Sequence, residues 1–244
     1  MPKNTGTKTM KHSTWIIVSL CVVLLGYACA PKAQDAPPPQ PIPPAPELLA
    51  AANDAEGFVP LFKEDLSNAI KEEGGWKLED GVLESQGKGD IWTRERYGDF
   101  ILDLEFKCAE ETNSGVFIRC ADLDDWLHTA IEVQVLQPNE KYPNNKWHCG
   151  AIFDVLAPYK QMVKQPGEWN HFTIIARDNM IHVIFNGEQV IGMDLDQWTE
   201  PHKNPDGTKN KFKYAYKDLV REGHIGLQYH GQPIAFRNLR IKQL

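Results

Sequence analysis

The chain has 244 residues, with 26 Lys and Arg against 33 Asp and Glu, and a formal charge of −7. No basic run rises above that background, which speaks against nucleic acid, whose phosphates call for clustered cations. No period of 20–50 residues is visible, which speaks against a solenoid or propeller.

The N-terminus reads as a targeting segment. Lys3, Lys8 and Lys11 precede an apolar run from Trp15 to Leu25, and small residues then lead to Cys29. A basic start, a short apolar centre and a small-residue site make a secretory signal, too short for an ordinary membrane span. The end, Leu24-Leu25-Gly26-Tyr27-Ala28-Cys29, resembles a relaxed bacterial lipobox, with Gly26 where Leu is usual. The resemblance implies cleavage before Cys29, lipidation of that cysteine, and anchorage to a bacterial membrane facing periplasm or exterior. Ala30 after the cysteine resembles the outer-membrane sorting pattern. Loss of residues 1–28 removes three lysines and no acids, moving the charge from −7 to about −10.

Residues 29–56 are expected to form a tether. The stretch APPPQPIPPAPE (residues 36–47) favours extended polyproline II and builds no core. A short helical turn is expected within residues 48–56. One domain of about 190 residues follows from Gly57 to the end, ample for a full core.

Within it, alternation dominates. Phe100, Leu102, Leu104, Phe106 and Cys108 share one face, with Asp103, Glu105 and Lys107 on the other. Asn113-Ser114-Gly115 reads as a turn into a second strand, which makes a hairpin with Cys108 and Cys120 on the same apolar face, within reach of a bridge. Free thiols are the equal alternative, and no Cys/His spacing suggests zinc. Ile131, Val133 and Val135 alternate with Glu132, Gln134 and Leu136. Strands at residues 172–176 and 181–185 join at Asp178-Asn179, and Asn186-Gly187 is a strong hairpin signal. A weak helix is expected at residues 158–163. Residues 122–125 and the insertion at 198–221 are loops, the latter long enough to flank a site, its charges solvated. The last segment, GLQYHGQPIAFRNLRI (residues 226–241), reads as two strands around a turn. Gln228 and His230 share one face, opposite Leu227 and Tyr229. Many short strands without a long helical period indicate an all-β antiparallel sandwich.

The candidate site comes from three strands whose non-core faces carry Arg119, then Glu132 and Gln134, then Gln228 and His230. An Arg, a carboxylate, two amides and a His suit hydroxyl and carbonyl recognition. Trp126, Tyr142, Trp147 and Tyr159 are candidates for stacking on sugar rings, or for packing. Sandwich glucanases of the laminarinase type carry two catalytic glutamates on such a strand, whereas Glu132-Val133-Gln134-Val135-Leu136-Gln137 offers one glutamate and two amides. Ordinary double displacement needs two carboxyls and is disfavoured here. One carboxylate with a histidine remains suited to acid–base work.

The ordered series GFVPLF (residues 57–62), Asp65-Leu66-Ser67, Trp76, DGVL (80–83), Thr93, YGDF (97–100), Glu105-Phe106, NSGV (113–116), Arg119, EVQ (132–134), GAIF (150–153), Ala157-Pro158, GEWN (167–170), Asn186-Gly187 and the final segment resembles the 3-keto-disaccharide hydrolase family. Lys63-Glu64 stand where that family commonly has Asn-Gly, and Tyr229 where it commonly has Asp. The resemblance implies a concanavalin A-like lectin/glucanase sandwich of jelly-roll type, and cleavage of glycosides oxidised at carbon 3. Elimination and rehydration next to a ketone require one base, an enolate stabiliser and an acid. The expected roles are Glu132 or His230 as base or acid, Arg119 on the enolate, and Gln134, Gln228 and Asn113 orienting hydroxyls. No cofactor is expected. The alternatives are a non-catalytic carbohydrate-binding envelope lipoprotein and a structural one.

Overall fold

The computed structural model describes residues 41–244 together with Met1 and Lys3. The expected signal, the lipidated Cys29 and the tether up to residue 40 lie outside the described residues. Helix α1 spans Pro46–Asn53. The strands are β1 (Val59–Pro60), β2 (Ala69–Lys71), β3 (Trp76–Glu79), β4 (Val82–Ser85), β5 (Ile91–Thr93), β6 (Phe100–Cys108) and β7 (Asn113–Cys120). A one-turn helix α2 (Trp126–Thr129) follows, then β8 (Ile131–Leu136), β9 (Trp169–Arg177), β10 (Met180–Phe185), β11 (Glu188–Asp194), β12 (His224–Leu227) and β13 (Ile234–Gln243).

Two antiparallel sheets result. The larger runs β11-β10-β9-β6-β13-β4-β3, with β1 beside β13, and the smaller runs β2-β5-β12-β7-β8. Alternation decides which side chains meet between them. Phe100, Leu102, Leu104 and Phe106 from β6 join Val116, Ile118, Ile131, Val133, Ile225 and Leu227 in one core. Each fully buried side chain of this size contributes roughly 1.5–3 kcal/mol relative to exposure. The β9–β10 hairpin turns at Asp178 (φ 49°) as expected, and β10–β11 at Asn186-Gly187, both residues in the left-handed region (φ 49° and 86°). That conformation is tolerated by Asn and costs Gly nothing.

Three local expectations are corrected. Asn113-Ser114-Gly115 is not a turn but the start of β7, and β6 and β7 belong to different sheets rather than one hairpin. Cys108 therefore lies in the core between the sheets, and Cys120 in a separate cluster with Trp92, Phe117 and Ala130. With Cys149 they are free thiols, and burial pushes Cys108 up to about 12. Residues 158–163 are irregular, held by the Tyr159 amide on the Val190 carbonyl (2.9 Å). The final segment crosses from one sheet to the other: β12 pairs with β5 and β7, whereas β13 pairs with β6 and β4.

Part of the outer face of the larger sheet is covered by the chain preceding the strands. Leu48 of α1 packs on Ile101 and Ile175, and Lys242 donates to the Ala51 carbonyl (3.2 Å). The Ile42 carbonyl accepts from Gln189 Nε2 (2.6 Å) and lies 3.2 Å from His182 Nδ1. Ile42 can run this close to β11 because residue 192 is glycine; a Cβ there would collide with the Ile42 backbone. Gly192→Val is expected to expel this strap, lowering stability by roughly 1–3 kcal/mol through loss of the Leu48 contact. Limited proteolysis should then cut faster within residues 41–53; unchanged cleavage would show that the contact does not hold the strap.

Candidate active site

The side of the smaller sheet away from the core carries the polar residues, because its strands bury Ile91, Leu227, Val116 and Val133 against the core and turn the next residues outward. Register aligns these outward residues in two rows. Gly226 pairs with both Trp92 and Phe117, and Phe117 with Glu132, giving the row Trp92, Gly226, Phe117, Glu132. The neighbouring row is Asp90, Gln228, Gly115, Gln134: the Gln228 amide donates to the Gly115 carbonyl (3.0 Å), and Gly115 pairs with Gln134. The segment after β8 extends both rows. Val133 bridges Ile152, the Phe153 amide donates to the Glu132 carbonyl (3.0 Å), and the Gln134 amide to the Ala151 carbonyl (2.9 Å).

One end of this face is closed. Trp92 stacks on Phe117 (5.1 Å, 11°), and Trp126 of α2 also packs on Phe117 (4.8 Å, 48°). Gly226 makes the stack possible, since a Cβ there would enter the Trp92 ring. Trp126 is thus a packing residue. Trp147 donates from Nε1 to Asp154 Oδ1 (2.9 Å), and Tyr142 packs against the core. Tyr159 lies beside β11, off this face.

Glu132 is only 6 % exposed, and its carboxyl group leans over Gly115 into space that any Cβ would fill. With the Gln134 amide oriented to satisfy both its ends, its nitrogen donates to Glu132 Oε1 (2.9 Å) and to the Ser114 carbonyl (3.2 Å). Asn113 lies 3.2 Å from the same amide. Burial pushes the Glu132 carboxyl up to about 8; the Lys211 ammonium pulls it down and the Asp90 charge raises it. Such a group is poised for proton transfer near neutral pH.

Gln228 is buried and shares this face, and its carbonyl accepts from Ser114 Oγ (2.8 Å). His230 is exposed, three residues past the end of β12, where strand alternation no longer governs it, and its charge acts on Asp90. Asp90 accepts from the Tyr229 amide at Oδ1 (2.9 Å), and burial raises its pKa. Structure thus brings Glu132, Gln134, Asn113 and Gln228 to one face, with His230 in the following loop, linked to it through Asp90.

Arg119 is not among them, which corrects its expected role. Ile118 and Arg119 together face the single Ile225, a bulge that places Arg119 at φ 53° and turns it inward. Its guanidinium donates to the Gly98 carbonyl (3.0 Å), the Asp178 carbonyl (2.7 Å) and Asp99 Oδ1 (2.9 Å), tying the two sheets together. It has no free path to an enolate. Sequence reading also passed over Asp90, Phe153, Lys211 and Tyr216. Asp90 was within reach of the period-2 rule, two residues before Trp92. Lys211 sits in the insertion, where no periodicity applies. Tyr216, on a 3-10 turn of the same insertion, is 2 % exposed, and its hydroxyl finds no partner among the described residues.

Two substitutions separate these roles. Arg119→Ala leaves two part-buried carbonyls without their donor, Asp99 keeping the Asp178 amide, and is expected to cost about 2–5 kcal/mol in denaturant unfolding. Glu132→Gln removes a carboxyl whose folded pKa lies above the ordinary 4.5. In the native chain the unfolded state releases that proton at lower pH than the folded state, so stability falls as pH rises from about 4.5 toward 8, by about 1.4 kcal/mol per unit of separation. The Gln variant should therefore lose that part of the pH dependence and unfold at higher temperature than the native chain at pH 8. Equal melting temperatures would contradict the burial of an unpaired carboxyl group.

Residues 57–242 match the model of the 3-keto-alpha-glucoside-1,2-lyase-like domain. The 3-keto-disaccharide hydrolase of Bacteroides thetaiotaomicron is 27 % identical, covering 78 % of this chain and 80 % of that protein. A crystal structure from Parabacteroides distasonis, provisionally named a glycosyl hydrolase, is 38 % identical with a TM-score of 0.73, covering 77 % of this chain and 99 % of that one. A Bacillus subtilis protein of galectin-like fold shares the sandwich alone, at 17 % identity and a TM-score of 0.50, covering 76 % of this chain and 94 % of that one. With the family model spanning nearly all of the strand-bearing chain, this protein belongs to the 3-keto-alpha-glucoside-1,2-lyase-like family.

Proposed function

We propose that the chain hydrolyses glycosides whose sugar carries a ketone at carbon 3, through elimination and rehydration. The observation that carries this reading is Glu132, a buried carboxyl that burial pushes up to about 8, set among amides on the sheet face away from the core. A ketone acidifies the neighbouring C2 hydrogen, so a base of that strength suffices to remove it. In its ionised form Glu132 takes the C2 proton, and the electron pair moves onto the C3 oxygen. The enolate then re-forms the ketone as the C1–O bond breaks, leaving a C1–C2 double bond, and the departing oxygen receives a proton from His230 or water. Water adds at C1 and a proton returns to C2, so the sum is hydrolysis. Gln134, Gln228 and Asn113 supply donors and acceptors for the sugar hydroxyls. The relative from Bacteroides thetaiotaomicron, named a 3-keto-disaccharide hydrolase, supports the same substrate class.

Asp90 favours a second reading. It shares the face with Glu132, on strands three spacings apart or roughly 14 Å between backbones, with both side chains able to lean inward. Two carboxyls at longer range suit inverting hydrolysis of an unoxidised glycoside. Lipid anchorage at Cys29 in the cell envelope remains part of the proposal and rests on the lipobox-like sequence.

The test uses the purified chain with a 3-keto-glucoside and its unoxidised parent. Cleavage of the keto form alone is expected; cleavage of the parent would favour the inverting reading, and sugar binding without turnover a binding module. Glu132→Gln and His230→Ala should each lower turnover by roughly 10²–10⁴-fold with the fold intact. With Glu132 as base, kcat/KM should rise with pH and level off above about 8. A falling limb there would make it the acid instead.

A further inference from the structure

With Arg119 committed between the sheets, the elimination needs another cation at the developing enolate, and we propose that Lys211 is that residue. This role rests on the keto-glycoside reading above. The register places it. Phe153 continues the row Trp92, Gly226, Phe117, Glu132, because Ile152 bridges Val133 and the Phe153 amide meets the Glu132 carbonyl at 3.0 Å. Lys211 Nζ lies over the Phe153 ring, 4.3 Å from its centroid. The ammonium group is therefore held one residue along the row from the proposed base.

Its position is fixed from the backbone rather than by an ion pair. The Lys211 amide donates to Asp154 Oδ2 (2.9 Å), and Asp154 Oδ1 accepts from Trp147 Nε1 (2.9 Å). The insertion is anchored around it: Lys146 Nζ bonds Asp206 (2.9 Å) and Thr208 Oγ1 (2.6 Å), and Asn210 Nδ2 donates to Asn204 Oδ1 (2.9 Å). Lys203, Lys213 and Lys217 of the same insertion each pair with a carboxylate, respectively Glu200, Asp125 and Asp218. Lys211 Nζ has no hydrogen-bond or ion-pair partner among the described residues. A cation resting on a ring face, with its donors uncommitted, is available to a ligand oxygen.

The chemistry closes without a further reactant. As Glu132 takes the C2 proton, negative charge collects on the C3 oxygen, and the ammonium donates a hydrogen bond to it. When the C1–O bond breaks, that charge passes through the ring to the departing oxygen, which takes up a proton, and the same contact relaxes. The interaction is stronger in the transition state than with the neutral ketone, so it acts on kcat. Lys211 also favours the ionised form of Glu132, the form the base requires.

The test compares Lys211→Met, Lys211→Arg and Lys203→Met in the full chain on a 3-keto-glucoside. The Met variant at 211 is expected to lose on the order of 10²-fold in kcat with KM little changed, the Arg variant to recover part of it, and Lys203→Met to match the native chain. A pH–rate profile of the Met variant should show the Glu132 limb moved to higher pH. A kcat within twofold of native for Lys211→Met would overturn the Lys211 role while leaving the hydrolase reading in place. An inert native chain would overturn both.

Discussion

Everything proposed for this protein depends on a carboxyl group held away from water without a counter-ion in contact. Glu132 lies on the face of the smaller sheet that does not touch the core, yet it is nearly as buried as a core residue. Gly115 leaves room for its carboxyl group on the sheet surface, Gln134 supplies a hydrogen bond, and Phe117 and Phe153 flank it along the register row. Removing water favours the protonated form; the hydrogen bond and the distant ammonium limit how far that goes. The resulting balance leaves a base of strength matched to a hydrogen beside a ketone.

The rest of the fold serves that arrangement by dividing labour between two faces. Part of the outer face of the larger sheet is covered by the strap and α1, with Leu48 on Ile101 and Ile175. On the smaller sheet, the aromatic stack of Trp92, Phe117 and Trp126 closes one end, and the insertion with Lys211 stands at the other. Arg119 holds the two sheets in register from between them, bonding Gly98, Asp99 and Asp178 at once.

Sequence alternation made the sandwich, the β9–β10 and β10–β11 hairpins, and the outward direction of Glu132 and Gln134 legible through period 2, and it still served for Gln228, one residue past the end of β12, because the Gln228 amide bonds the Gly115 carbonyl. It failed where the strand was broken. Arg119 looked like a neighbour of Glu132 because alternation was carried through a bulge that one sequence cannot reveal. His230 was placed by carrying β12 beyond Leu227, where the strand ends. The supposed turn at Asn113-Ser114-Gly115 has turn-forming residues, but its glycine is there to make room for Glu132, a reason that exists only once β8 lies beside β7. Lys211 comes from an irregular insertion and reaches the site through hydrogen bonds among Asp154, Asn204 and Asn210, which no local pattern encodes.

The central claim is that a proton bound to carbon, not only one bound to oxygen, passes through Glu132. Its most direct test is cleavage of a 3-keto-glucoside by the purified chain in deuterated water, stopped early and corrected for exchange without protein. The elimination route predicts deuterium at C2 of the released sugar, absent when Glu132→Gln replaces the native chain. Rapid cleavage with protium retained at C2 would contradict it.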